Sequence, residues 1–297
     1  MGYGSYTSAD WSKLKASRGI NSDSSVEEIF KDNQLKDIYN PRFINVRESR
    51  DSSDSPESTP IILGFDVTGS MGYLAAEIAK NSLNKTITEI YDKQPVTNPH
   101  VMCAAFMSPV YCGGLQVTQF EADIRVVEQL LDLKVGFGGN MYSYDSLVWY
   151  FAAFHTDIDS YNKRGSKGFL FGIGDEICDT SGSLEHLKKS SIKDVYDDDV
   201  ESFSLEEIYK KASEKYEIFH IVTLMGYREE EAYGSWCEFM PGRVAAIRDT
   251  DIRYLSEVIT SLMQLVKGMS KDEVIAQWPA EAQKVVEGAL RDIVIDK

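Results

Sequence analysis

The sequence predicts an α/β fold: a doubly wound, mostly parallel sheet flanked by helices. Three observations predict it. Short, near-continuous apolar runs at Ile61–Phe65, Val101–Met107, Gly168–Gly174 and Ile218–Leu224 have the pattern of strands buried on both faces. Segments with apolar residues at helical spacing alternate with these runs, as right-handed crossovers require. Two of the runs stop abruptly at an acid, Asp66 and Asp175, where strand gives way to turn.

The elements follow in order. Residues 1–59 read as a polar N-terminal arm, with Ser22-Asp23-Ser24-Ser25 and Arg50-Asp51-Ser52-Ser53-Asp54-Ser55 between short apolar knots. Val26, Ile29 and Phe30 fall at helical spacing, followed by Leu35 and the group Phe43, Ile44 and Val46, so the arm is expected to dock a few anchors and otherwise be solvated. After the first strand, Leu74, Ala75, Ile78, Ala79, Leu83, Ile87, Ile90 and Tyr91 mark a helix. Cys112-Gly113-Gly114 turns the chain so that Leu115, Val117 and Phe120 can pair antiparallel with the second strand, and a short helix is expected from Ile124 to Leu133. A Gly-rich loop, Gly136–Asn140, precedes an apolar helix from Leu147 to Phe154. Cys178 to Phe203 reads as a polar insertion whose Asp197-Asp198-Asp199 run is expected to be solvated. Ser204-x-x-Glu207 caps a helix through Lys215. His220 lies inside an apolar strand and reads as a satisfied core residue. Trp236, Phe239 and Met240 occupy a short helix before a last edge strand, Arg243 to Ile247, and a helix from Asp251 to about Lys267 completes the unit. Ser270-x-x-Glu273 opens a helical C-terminal appendage, 269–297, broken at Pro279.

A chain of 297 residues can bury the core of one large domain with appendages. Its net charge of −16 excludes non-specific attachment to nucleic acid or to an anionic membrane, both of which want a basic surface. Cys103, Cys112, Cys178 and Cys237 form no CxxC pair and read as buried reduced thiols, with a bridge between Cys103 and Cys112 left open. No segment approaches the ~20 apolar residues of a membrane span, and no signal-peptide core opens the chain; the expected location is cytoplasmic.

The turn after the first strand carries the chemistry. Asp66, Thr68 and Ser70 place one carboxylate and two hydroxyls on a short loop at the carboxyl end of a central strand, where open α/β sheets bind ligands. Such hard oxygen donors suit Mg²⁺ or a similar cation. Asp66-Val67-Thr68-Gly69-Ser70 resembles the Asp-x-Ser/Thr-x-Ser signature of the von Willebrand factor A (vWA) domain, in its metal-ion-dependent adhesion site. The resemblance covers about 60–268 and is to intracellular, bacterial or phage-type members. It implies a mostly parallel sheet with one short antiparallel edge strand, and a cation (Mg²⁺, or Mn²⁺ or Ca²⁺) shared by three loops. Thr68 and Ser70 would bind directly and Asp66 directly or through water. Asp175 matches the third-loop acid. Asn140 stands where the second loop usually has Thr, with Ser143 and Asp145 as substitutes; Glu176 is expected to be a solvated neighbour, with an outer-sphere group as the alternative.

The function so implied is metal-dependent protein binding without turnover, the cation being completed by an Asp or Glu carboxylate of a protein partner, with an AAA+ ATPase among the partners the resemblance suggests. Two further classes stand beside it. One is a structural assembly component in which the metal site is vestigial. The other is an enzyme, either a metal-assisted hydrolase using Asp66, Asp175 and Glu176 or a hydrolase with Ser70 in an elbow-like turn followed by Asp175 and His220.

Overall fold

The computed structural model describes residues 8–21, 23–31, 34–71, 77, 83–109, 113–135, 142–179, 187–226 and 228–295. Its strands are β1 (Arg47–Ser49), β2 (Thr59–Asp66), β3 (Pro99–Phe106), β4 (Leu115–Val117), β5 (Thr156–Ile158), β6 (Gly168–Gly174), β7 (Tyr216–Leu224) and β8 (Val244–Arg248). Strands β1 and β5 form a small parallel pair, and the other six form one sheet in the order β4-β3-β2-β6-β7-β8. Every neighbouring pair is parallel except β3 with β4. The chain therefore winds outward from β2 through β3 to β4, then returns and winds the other way through β6, β7 and β8. That is the doubly wound α/β arrangement, and its winding reverses between β2 and β6, which pair as Ile61↔Phe169 through Phe65↔Ile173.

Strand alternation gives the sheet two apolar faces. Ile61, Leu63, Phe65, Phe169, Phe171, Phe219 and Ile221 face the helices Leu83–Lys93, Arg125–Leu130 and Leu255–Val266. Ile62, Met102, Leu170, Ile218 and Val222 face the helices Asp145–Phe154, Lys189–Tyr196, Leu205–Lys215 and Glu229–Phe239. On this second face one row crosses the sheet as Ala104, Gly64, Gly172 and His220. Its small residues let the helix Asp145–Phe154 approach closely. A Cβ on Gly64 would stand 3.4 Å from both Val148 methyls, and one on Gly172 only 1.9 Å from Asp145 Oδ1.

The arm docks through the expected Ile29, Phe30 and Ile44, through further anchors not foreseen, and not through Phe43, which is exposed. Trp11, Leu14, Ile20, Ile29, Phe30 and Tyr39 are buried in the core on the first face, and Ile44 in that on the second. Arg18, Lys36 and Tyr39 all reach Asp132 (3.3, 3.2 and 3.3 Å), and Ser25 with Glu28 forms a capping box that periodicity alone does not reveal. Polar composition conceals this docking because a few large apolar side chains suffice to anchor a segment whose other residues remain in water. The helix expected from Met71 is described over Leu83–Lys93, with a 3₁₀ turn at Gly69–Met71, and Ile124–Leu133 is helical over Arg125–Leu130. Phe120 lies beyond β4, but the neighbouring Glu121 bridges antiparallel to Val101.

The insertion, described over 178–179 and 187–203, packs there more than its polarity suggests. Its helix Lys189–Tyr196 buries Ile192, Val195 and Tyr196. Asp198 is no solvated acid: it accepts from Tyr150 Oη (2.7 Å) and pairs with His155 Nε2 (2.8 Å). Cys103, Cys178 and Cys237 are free thiols, so Cys103 is in no bridge; Cys112 lies outside the described residues. Both capping boxes foreseen from spacing form, at Ser204–Glu207 and Ser270–Glu273. The C-terminal helices Lys271–Ala276 and Ala280–Ala289 dock through Trp278, whose Nε1–H donates to Ser261 Oγ at 3.0 Å. Among the described residues no helix is long and apolar enough to cross a membrane.

Candidate functional site at the reversal of winding

Strands β2 and β6 end side by side, so the turns after them open onto one rim. The β2 turn is built locally. Val67 N–H donates to Phe106 O (3.2 Å), Met71 N–H donates to Thr68 O (3.0 Å), and Thr68 N–H donates to Asp66 Oδ1 (2.7 Å). Asp66 and Thr68 are both 0% exposed. Asp66 Oδ2 has no hydrogen-bond partner among the described residues. Burial pushes its carboxyl up to about 7 against the hydrogen bonds from Thr68, and the negative charges of Asp175 and Asp145 push the same way. The Ser70 side chain and the whole of Asn140 lie outside what is described.

The β6 turn brings its acids to the same place. A Cβ on Gly174 would stand 3.6 Å from Asp66 Cβ, and Asp175 and Glu176 follow directly. Both are half-buried. Glu176 is therefore not the solvated neighbour expected. Burial raises its carboxyl to about 7, repulsion from Asp175 and Asp66 adds to that, and Arg228 opposes it. The turn is stitched to its surroundings: Ser143 N–H donates to Ile177 O (2.9 Å), Cys178 N–H to Ser235 Oγ (3.0 Å), and Trp236 Nε1–H to Glu176 O (3.0 Å).

Beneath the rim lies a buried polar group that spacing does not reveal. Asp145 opens its helix over Gly172 and faces His220 Nδ1 at 3.2 Å, while the Ser143 hydroxyl donates to Asp145 Oδ2. The His220 ring stacks on Trp236, with centroids 3.6 Å apart and planes inclined by 10°. His220 is thus held in the core as expected through Nδ1, whereas its Nε2 has no partner among the described residues. Ser143 and Asp145, the substitutes for Asn140, are engaged with each other and with His220. The signal for this group was Gly172 in mid-strand, since a glycine there marks close approach of another element. Among the described residues no set of three or more His, Cys, Asp or Glu side chains is arranged to hold a metal. The expected donors are instead mixed, two carboxylates with hydroxyls.

No protein-family model and no curated protein matches the chain. Among solved structures it is similar to the pilus adhesin SpaC from Lactobacillus rhamnosus GG in its open conformation, at a TM-score of 0.47 and 11% identity over 70% of this chain and 30% of the adhesin. A second structure of that adhesin gives 0.46 and 11% over 70% and 31%. A von Willebrand factor type A protein from Catenulispora acidiphila gives 0.38 and 11% over 70% and 42%. The chain spans under a third of the adhesin. At these scores the likenesses assign neither family nor function.

Proposed function

We propose that the chain is a metal-dependent protein-binding module with no turnover of its own. The observation that carries this reading is Asp66 Oδ2, a fully buried carboxylate oxygen without a partner among the described residues, at the rim where Asp175 also ends a strand. Two like charges brought together out of water repel each other, and a divalent cation reverses the local sign. The donor set fits such an ion. Thr68 and Ser70 would hold it with Asp66 and Asp175, and Asn140 is the remaining second-loop donor, since Ser143 and Asp145 are engaged with each other. The ion would supply an attachment point for an Asp or Glu carboxylate on a protein partner, an AAA+ ATPase being one class of partner consistent with the resemblance. A cytoplasmic setting belongs to the same reading.

Binding rather than an elbow-type hydrolase is supported by the state of His220. His220 is 1% exposed, bonded to Asp145 and stacked on Trp236, which leaves it poorly placed to serve Ser70 as a base. The test is a calorimetric titration of Mg²⁺ into wild type and Ser70→Ala, followed by partner retention from lysate with Mg²⁺ and with EDTA. Wild type should bind the ion and retain partners only with Mg²⁺, and Ser70→Ala should do neither. Equal retention in all four conditions would refute the adhesion reading in favour of a structural component with a vestigial site.

A further inference from the structure

We propose that the open edge of β8 is a second binding site, taking an extended peptide of alternating basic and acidic residues as an added strand. It lies three strands from β2 and does not depend on the cation. As β8 is the last strand of the sheet, the main chain of every second residue faces outward. His220 N–H donates to Arg243 O (3.0 Å), which turns Arg243, Ala245 and Ile247 toward β7 and Gly242, Val244, Ala246 and Arg248 away from it. The chain itself uses the first of these, for Val294 N–H donates to Gly242 O at 3.0 Å. Farther along, Ala246 is half-buried, and its outward main chain has no hydrogen-bond partner among the described residues. The opposite edge is closed: β4 is buried throughout, and the Gln116 amide bonds to Lys134 N–H and O (2.9 and 2.8 Å).

The β8 edge is the floor of a cleft of about 470 Å³. Its walls are helices on opposite faces of the sheet, Glu229–Phe239 on the face of Val244 and Ala280–Ala289 on that of Ala245 and Ile247. Tyr233 Oη donates to Asp292 Oδ2 (2.6 Å) and ties the walls together. A floor between two helices admits a single strand but not the edge of a second copy, which the same helices flank. The walls also select side chains. Glu229 and Glu230 line one and Lys284 the other, and none of the three is in an ion pair among the described residues. Arg291 is paired with Asp292 (3.0 Å), while Arg248 and Asp251 add one charge of each sign. Successive side chains of an added strand point to opposite faces, so its basic residues meet the glutamates and its acidic ones meet Lys284.

The test uses the full chain in EDTA, so that it reads this site and not the cation. A fluorescent peptide of about six alternating Lys and Glu residues, ~20 Å when extended, is titrated by anisotropy. The alternating peptide should saturate, and one of the same composition with its Lys and Glu in two blocks should bind about threefold or more weakly. Ala246→Pro removes an outward N–H that the sheet does not use, so the melt should be kept. Affinity should then fall about tenfold, as loss of one or two hydrogen bonds predicts. Two alternating peptides N-methylated at every second amide, in opposite registers, test the main-chain pairing on the unaltered protein: one should bind and the other should not. No saturation, equal binding of the blocked sequence, equal binding of both methylated peptides, or unchanged affinity in a folded Ala246→Pro protein would each overturn the proposal. A wild type that dimerises in sedimentation beside a monomeric Ala246→Pro variant would overturn it in favour of a second copy.

Discussion

Replacing Gly172 by Ala tests the structural base of the site, because it places one methyl group where there is no room for it. The added Cβ would lie 1.9 Å from Asp145 Oδ1 and 2.8 Å from His220 Nδ1, far inside van der Waals contact. Asp145 cannot rotate away freely, because Ser143 holds one of its oxygens and His220 faces the other. Either the helix Asp145–Phe154 lifts or the buried pair separates. Overpacking a core costs about 1–3 kcal/mol, and losing a hydrogen bond to a charged group adds about 1.5–3 kcal/mol. We expect a loss of about 3–5 kcal/mol, a fall in melting temperature of about 6–20 °C at the ~2–4 °C per kcal/mol of domains this large. The assay is a thermal melt with parallel urea unfolding, repeated in an Asp145→Ala background, where the same change should cost less because only the His220 contact at 2.8 Å remains. A Gly172→Ala protein melting within roughly 2 °C of wild type, less than 1 kcal/mol, would refute the placement of Asp145 over β6.

Two further outcomes follow from buried charges. Asp66→Asn keeps an acceptor for Thr68 N–H but removes an ionised group from a fully buried position, so the metal-free protein should gain about 1–2 kcal/mol near neutral pH. The same variant should lose any rise in melting temperature on adding Mg²⁺; a metal-free protein less stable than wild type would contradict the assignment. Asp159 is the opposite case. Burial pushes its carboxyl up, but Lys163 (2.6 Å), the Asp51 N–H (2.9 Å) and Arg50 (3.1 Å) outweigh that and hold it at about 2. Its folded value lies below the unfolded ~3.9, so its contribution is present above about pH 4 and disappears as pH falls toward about 2. Exposed partners screen the effect to about 1–2 kcal/mol. Asp159→Asn should flatten the acid limb of stability over that window, and an unchanged limb would rule out the assignment.

The six strands of the main sheet, the central position of β2 and the turn after it that carries Asp66 were legible in the chain itself. Apolar runs buried on both faces and the change to helical period after Met71 depend on neighbouring residues only. So did the Ser204 and Ser270 caps, whose bonds span three residues. Docking of the arm through Ile29, Phe30 and Ile44 was legible, but its anchoring through Tyr39 was not, because Tyr39 meets Asp132 only when segments 93 residues apart in sequence come together. Nor was Asp198, read as a solvated acid until Tyr150 and His155 met it. The same holds under the site. Asp145 and His220 are 75 residues apart, and neither their pairing nor the stacking on Trp236 follows from any local pattern. Asp66 and Glu176 make the division plain. Their identities as acids belong to the sequence, but the burial and mutual repulsion that raise both carboxyls arise only when β2 and β6 lie side by side, since dielectric and distance are properties of the packed molecule.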